Sequence, residues 1–368
     1  MRVIHLSAEK TWRGGEQQIA YLIEELNQLN VEQLVVCRKD SAFEKYCIDQ
    51  NLPHKSLALK NQLDLSSSIQ FKKICYEFQA DIVHIHSSHA HAIAVWSYFM
   101  GNNTDLVLSR KVDFEISKNL LSNIKYNCSG IKKIICVSDA IKNIIKSSIA
   151  EPEKCVTVYD GIDLQKFASN TNAIRKEFGI DEQKKIIVST AALADHKDYP
   201  TFINAIEQLV GKFSFQAVVF GDGPMADDIK QLVKDKNLTE YIFFTGFRTD
   251  IAALLASADV FVLSSKTEGL GSSILDAYAC KVPVVATKTG GIPEIAHHQE
   301  NALLANVGDA KTLAQLIEQV CTQTSVAEQL SKNGFAFVQK FDKKIMAKKT
   351  LEVYKEVFFL KAENKNKL

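Results

Sequence analysis

The sequence predicts an α/β protein made of two doubly wound domains, each a mostly parallel sheet with helices on both faces. Three observations lead there. Short runs rich in Val and Ile alternate with amphipathic stretches of about 10 to 15 residues, the pattern of strands joined by crossover helices. Most of those runs are continuously apolar, as expected when helices cover both faces of a sheet. The chain has 368 residues, about twice the usual size of one domain.

Taken in order, the first half offers strands at Arg2 to Leu6, Gln33 to Cys37, Asp81 to His86, Asp105 to Ser109, Lys133 to Val137 and Lys154 to Val158. The second half offers Lys185 to Thr190, Phe215 to Phe220, Tyr241 to Thr245, Asp259 to Leu263 and Val282 to Ala286. Between the two series lies a polar stretch from Gly161 to Gln183 that contains Ser169-Asn170-Thr171-Asn172. The expected division is therefore 1–165 and 166–342. The tail, about 343–368, carries Ile345, Met346, Leu351, Tyr354 and Val357 at roughly helical spacing and is expected to pack back on the first domain. In such sheets ligands sit at the carboxyl ends of the strands, here expected to face a cleft between the domains.

Composition narrows the functional classes. Lys plus Arg number 44 against 43 Asp plus Glu, so total charge gives no field for a nucleic-acid backbone. No apolar run approaches the roughly 20 residues that span a bilayer. The start, Met1-Arg2-Val3-Ile4-His5-Leu6-Ser7, reads as a first strand, its apolar stretch too short for the core of a secretory signal. A cytoplasmic protein is expected. The eight cysteines form no Cys-x-x-Cys pair, and reduced, mostly buried thiols are expected.

The segment with the most chemistry follows the strand at Asp259 to Leu263. It runs Ser264-Ser265-Lys266-Thr267-Glu268-Gly269-Leu270-Gly271-Ser272-Ser273-Ile274-Leu275-Asp276. Gly269 and Gly271 permit a tight turn and close approach of a ligand, and Ser272 or Ser273 can cap the helix that follows. Free N–H groups at a helix start favour an anion. Asp276 lies one helical turn beyond Ser272, so a diphosphate at the helix mouth would leave one hydroxyl-bearing ring near Glu268 and another near Asp276. A capped helix with two solvated acids is the plain alternative.

At this point the chain resembles a family. Phe244-Thr245-Gly246-Phe247-Arg248, Ala258 to Ser265, Glu268 to Gly271, Pro283 to Ile295 with its Thr-Gly-Gly-Ile-Pro-Glu, and Glu300-Asn301-Ala302 together resemble the donor half of retaining glycosyltransferases of the family 4 type, with the GT-B fold. The resemblance extends more weakly to Gly14-Gly15, Asp81-Ile82-Val83-His84-x-His86, Val137-Ser138, Gly161-Ile162-Asp163, Lys197 and Gly221-Asp222-Gly223-Pro224. It implies transfer of a sugar from a nucleotide-sugar donor to an acceptor hydroxyl, with retention of configuration and no bound metal or other cofactor. By resemblance, Glu268 contacts donor-sugar hydroxyls and Asp276 the ribose. Gly269, Leu270, Gly271 and Ser272 would bind sugar and diphosphate through backbone groups, and Lys197 would neutralise the diphosphate. Gly14 and Gly15 would approach it from the other domain, and Gly246, Phe247 and Arg248 would present backbone atoms to the base. Such groups fit the chemistry, because the leaving diphosphate gains negative charge that a lysine and fixed N–H dipoles stabilise. A phosphate oxygen of the donor would take the acceptor proton, and domain closure would exclude water.

The chain departs from that pattern at several positions. The family usually carries an Arg five residues before the lysine, and Ala192 stands there; His196, Arg248 or Arg13 would have to replace it. The second acid is Asp276, one methylene short. The frequent histidine after the fourth strand is missing, and Arg110 and Lys111 occupy that region, where they can meet an anionic acceptor or form a solvated loop. His84, His86, His89 and His91 fall within eight residues. No Cys or acid accompanies them, so contact of His86 or His89 with a sugar, or a structural role, is expected ahead of zinc. The Gly221 to Pro224 run lacks the third glycine of a dinucleotide loop, and a strand-to-helix turn with Pro224 opening the helix is expected.

From Leu106 to Ala150 the eight basic residues exceed the three acids by five. Ile116, Leu120, Leu121 and Ile124 interleave with Lys118 and Lys125, which suits either a half-buried helix or one lying on an anionic membrane. The expected function is thus a glycosyltransferase of cell-envelope polysaccharide synthesis (lipopolysaccharide, O-antigen or capsule), cytoplasmic or peripheral on the inner face of the membrane. Its donor would be a UDP-sugar ahead of GDP-mannose, its acceptor a glycan or lipid-linked glycan, with no nucleic acid involved. A GT-B epimerase or hydrolase and a degenerate binder of nucleotide sugars are the alternatives.

Overall fold

The computed structural model describes residues 1–117, 119–167, 173–248 and 250–365. Lys118, the Ser169 to Asn172 stretch and the last three residues, on which expectations above bear, lie outside the described residues. Two compact units divide the chain: Met1–Gly161 with the segment from Lys343 onward, and Ile162–Asp342.

The first unit is a seven-stranded parallel sheet of β1 (Arg2–Ser7), β2 (Glu32–Arg38), β3 (His54–Leu57), β4 (Ile82–Ile85), β5 (Asp105–Arg110), β6 (Ile131–Cys136) and β7 (Cys155–Thr157). Their order across the sheet is β3-β2-β1-β4-β5-β6-β7, so the winding reverses beside β1. Val3, Ile4 and Leu6 of β1 have no exposed surface, which explains the unbroken apolar run. The helix Lys343–Lys365 packs on the helix Gly14–Gln28 and places Met346, Ala347, Tyr354 and Val357 in one cluster with Val3, Leu22, Leu26, Ile82 and Val107.

The second unit is a six-stranded sheet of β8 (Lys185–Thr190), β9 (Phe215–Phe220), β10 (Ile242–Gly246), β11 (Val260–Leu263), β12 (Val284–Thr287) and β13 (Ala302–Ala305). It is also wholly parallel, in the order β10-β9-β8-β11-β12-β13. All six residues of β9 are buried.

Two strands escape the sequence reading, β3 and β13, and both are four-residue edge strands. An edge strand has one neighbour and can do with little apolar surface, as β3 does; β13, Ala302-Leu303-Leu304-Ala305, is apolar and largely buried, and its four residues are too few to stand out. In β3 only Leu57 is buried, so His54-Lys55-Ser56-Leu57 looks like a loop. All eight cysteines are unpaired and only Cys280 has appreciable exposure. At the carboxyl end of β9 the helix starts at Ala226, so Pro224 sits in the preceding turn and not at the first helical position. A Cβ on Gly221 would lie 1.9 Å from the Ala191 carbonyl oxygen and one on Gly223 2.4 Å from that of Leu193. The Gly-Asp-Gly run is a close-packed turn against the loop after β8.

Candidate functional site

In the second unit the residues singled out by sequence collect on loops that leave the carboxyl ends of the strands. The loop after β8 ends in a short 3-10 turn, Asp195–Lys197, and the loop after β11 carries Ser264 to Gly271. Several hydrogen bonds join the two. Ser264 Oγ donates to the carbonyls of Lys197 at 3.0 Å and Asp198 at 3.1 Å. The Lys266 N–H donates to His196 O at 2.8 Å, and Lys266 Nζ reaches Asp195 Oδ1 at 2.7 Å. Lys197 Nζ donates to Glu268 Oε1, closing an ion pair between residues 71 apart in the chain. Both side chains are largely covered, with 17% and 9% of their surface exposed, so the pair is shielded from water and salt.

A third loop, after β12, buttresses the second. Thr287 Oγ1 donates to Ser265 O and Thr289 Oγ1 to Lys266 O, each at 2.7 Å, and the Gly291 N–H donates to Glu268 O at 3.0 Å. Gly290 has φ +51°, and a Cβ there would lie 1.9 Å from Glu268 O. Only glycine fits that approach. Sequence reading took Gly290 as part of a motif; its contact with Glu268 is visible only in three dimensions. Ser265 and Lys266 stand in the quoted segment without a role of their own, because a serine or lysine beside an acid carries no spacing signal.

Beyond Glu268, Gly271 adopts φ +83° and the helix Ser273–Ala279 follows. Ser272 stands at its N-cap but makes no side-chain capping bond, which differs from the cap expected of Ser272 or Ser273. The Ile274 and Leu275 N–H groups donate to Gly271 O and Ser272 O, each at 2.9 Å, so the N–H groups that precede them are the ones a bound anion would meet. Asp276 lies in the first turn, part-buried, with no hydrogen bond to its carboxylate among the described residues. Burial pushes its pKa up from 3.8 to about 7. An acid so held is short of donors, and sugar hydroxyls would supply them.

Gly246, at the end of β10, has φ +75° and open space where a Cβ would stand, and Phe247 is exposed. The Arg248 guanidinium is engaged by Asp250 at 2.6 Å and 2.8 Å and by Glu177 at 3.1 Å. Its donors are committed in this arrangement, which weighs against Arg248 as the stand-in for the position of Ala192.

In the first unit Gly14 and Gly15 open the helix Gly14–Gln28, and a Cβ on either meets nothing within 4 Å. Packing therefore does not require glycine there, and the backbone stays open to approach. Arg13 is exposed, its Nε 3.3 Å from Thr11 Oγ1. A small cavity of roughly 30 Å³ at the carboxyl edge of β4 to β7 brings together His86, Lys111, Gln18, Ser109 and Asp160. Lys111 Nζ pairs with Asp160 Oδ1 at 2.6 Å. Arg110, by contrast, is buried; it donates to Tyr126 OH at 2.8 Å and to Phe114 O, and so braces the loop after β5.

The four clustered histidines separate. His91 is buried with Nε2 3.0 Å from Lys125 O, and His89 lies in the first turn of the helix Ser88–Phe99. His84 and His86 instead join His5, whose β1 position is in register with His84 on β4. Potential ligand nitrogens of the three lie within 4.8 Å of one another. They are tied into hydrogen bonds: His5 Nε2 with Gln33 at 2.9 Å, His5 Nδ1 with His86 at 3.1 Å, and His84 with Tyr354 at 2.5 Å and Ser109 at 2.8 Å. Burial lowers all three pKa values, that of His5 to about 4, and the neighbouring rings and Lys111 further oppose protonation of His86. These rings are neutral at pH 7.

Four of the eight basic residues between Leu106 and Ala150 are held in ion pairs. Lys111, Lys132, Lys133 and Lys142 meet Asp160, Asp105, Glu356 and Asp139. Phe114, Leu120 and Leu121 meanwhile expose 62%, 72% and 62% of their surface. No helix among the described residues is long and apolar enough to cross a membrane.

Residues 12–166 match the family model described as Glycosyltransferase Family 4, and residues 170–337 match the one described as Glycosyl transferases group 1. The chain is 28% identical over 258 residues to N-acetyl-alpha-D-glucosaminyl L-malate synthase of Bacillus anthracis, covering 68% of each chain. It is 26% identical over 302 residues to the UDP-Gal:alpha-D-GlcNAc-diphosphoundecaprenol alpha-1,3-galactosyltransferase of Escherichia coli, covering 76% of this chain and 78% of that one. Its fold is similar to that of Anabaena HepE solved with UDP and glucose, with a TM-score of 0.86 at 20% identity over 97% of this chain and all of that one.

Proposed function

Because the chain belongs to the glycosyltransferases of the family 4 type and has the GT-B fold, we propose that it moves a hexose from a nucleotide sugar to a glycan or lipid-linked acceptor, with retention and without a bound metal. The observation that carries this reading is the meeting of Lys197 and Glu268 at the carboxyl ends of β8 and β11, with Asp276 one turn up the adjoining helix. Lys197 would take the diphosphate, Glu268 the donor-sugar hydroxyls, and Asp276 the ribose hydroxyls. Negative charge that develops on the leaving diphosphate would fall on Lys197 and on the N–H groups at the helix mouth. A donor phosphate oxygen would accept the acceptor proton, so no side-chain base is required.

A UDP-sugar is the proposed donor, supported by the UDP-Gal of the Escherichia coli relative and the UDP bound in HepE. GDP-mannose comes second. The diphosphoundecaprenol acceptor of that relative supports a lipid-linked acceptor in cell-envelope polysaccharide synthesis, handled at the inner face of the membrane. The outward Phe114, Leu120 and Leu121 would touch that surface through apolar contact. His86 and Lys111 are the proposed acceptor-side contacts. A second reading, a small anionic acceptor, is favoured by Lys111 beside His86 and by the malate in the name of the Bacillus relative.

The test is a melting panel with UDP, GDP, ADP, CMP and NAD, each with magnesium and with EDTA. Saturation to 100 times the dissociation constant adds about 2.7 kcal/mol. A rise with UDP that EDTA leaves intact is expected. No rise with any diphosphate sinks the donor-site reading. Sugar transfer is then scored with undecaprenyl-diphosphate glycans and with small hydroxy acids as rival acceptors.

A further inference from the structure

Glu268 has a second partner besides Lys197. Ser265 is wholly buried at the end of β11, and its Oγ donates to Glu268 Oε1 at 2.8 Å, the same oxygen that Lys197 reaches. Oε2 has no hydrogen-bond partner among the described residues. We propose that Ser265 is a positioning residue for sugar transfer: it holds Oε1 of Glu268 so that Oε2 is kept for a donor-sugar hydroxyl. The inference rests on the donor-site reading above.

The argument starts from competition. A diphosphate carries more charge than a carboxylate, so a nucleotide that binds here draws Lys197 away from Glu268. A carboxylate with 9% exposed surface that is left with no donor would protonate or turn aside. Ser265 is a donor that stays. Its place is fixed, because its carbonyl accepts from the fully buried Thr287, Ser264 before it is bonded to the loop after β8, and Lys266 after it is bonded to His196 O. The carboxylate thus hangs from a frame held on both sides. Hydrogen bonds to charged groups contribute enough that losing one changes an equilibrium about tenfold or more.

Calorimetry with UDP and with UDP-N-acetylglucosamine, on the full chain and on Ser265→Ala and Ser265→Thr, tests this. GDP and GDP-mannose replace them if the melting panel selects guanosine. Ser265→Ala should bind the nucleoside diphosphate within about twofold of the parent protein. Its extra affinity for the nucleotide sugar, and its turnover to free diphosphate, should each fall about tenfold, and Ser265→Thr, which keeps the hydroxyl, should recover most of both. A merely structural serine would lower both affinities together and leave their ratio alone, and that result overturns the proposal. So does an Ala variant with unchanged ratio and turnover. If the unmutated chain binds no nucleoside diphosphate, the donor-site reading fails first and takes the inference with it.

Discussion

Asp276→Asn should make the protein more stable and less able to bind nucleotide, with both effects set by pH. Burial raises the Asp276 pKa from 3.8 to about 7, and no hydrogen bond among the described residues reaches its carboxylate to offset that. Between those values the folded protein keeps a proton that the unfolded chain has released, so stability falls as pH rises through that window and levels off above about 7. Each pH unit is worth about 1.4 kcal/mol, which sets a ceiling of about 4 kcal/mol. The carboxyl is partly open to water, and screening reduces the expected cost to about 1–2 kcal/mol. Asparagine has the same shape and cannot ionise. Its melting temperature should exceed the parent's by a fraction of the full difference at pH 5, where part of that window is already passed, and by roughly 2–8 °C at pH 8. Affinity for UDP should move the opposite way, falling about tenfold in the variant at pH 8 as a charged acceptor for the ribose is lost. Melting curves and UDP titrations at half-unit steps from pH 5 to 8.5 read both. A melting difference that stays flat across that range refutes the argued pKa, and unchanged UDP affinity refutes the ribose role.

Lys197→Ala should weaken UDP binding at least tenfold while lowering the melting temperature, because Glu268 is left covered and without its cation; calorimetry and a melt on the same sample check it. Gly290→Ala should abolish UDP binding, since its Cβ would lie 1.9 Å from Glu268 O and its φ of +51° disfavours any side chain; titration at saturating UDP decides. The first unit should lose stability as pH falls from about 6.5 to 4, because His5, held near pKa 4 in the fold, gains its proton earlier in the unfolded chain. His5→Gln should flatten that acid limb in a melting series, and an unaltered slope would show that the buried rings do not govern it.

Much of this was legible in sequence, and the failures have physical causes. Continuous apolar runs mark strands covered on both faces, so β1, β5, β8 and β9 were read nearly to the residue, whereas edge strands such as β3 need few apolar residues and vanish among loops. Glu268 and Asp276 were visible because a turn, a helix start and an acid at fixed spacing are local facts. Lys197 entered only by resemblance, since its meeting with Glu268 joins residues 71 apart and no local pattern encodes such a contact. Ser265 had no signal of its own. Arg110 and Lys111 looked alike as neighbouring cations, yet strand alternation sends one into the interior against Tyr126 and the other to a cavity beside Asp160. The local excess of lysine misled for the same reason: its partners, Glu356 among them, come from distant segments.

The two units handle their key cations in the same way. Lys197 is paired with Glu268 in the second and Lys111 with Asp160 in the first, and neither lysine has more than 26% of its side-chain surface exposed. A covered ammonium without a counter-ion is costly, so a site that must later receive an anionic ligand needs a carboxylate in the meantime. On the proposed site reading, binding would then be an exchange of partners. Its free energy is the difference between two ion pairs, which keeps affinity moderate and makes it depend less on salt than a bare surface cation would. The carboxylate released by the exchange is also put to use. At Lys197 it is Glu268, so on the proposed reading arrival of the diphosphate would free the acid that meets the donor sugar, and Ser265 would keep that acid from turning away.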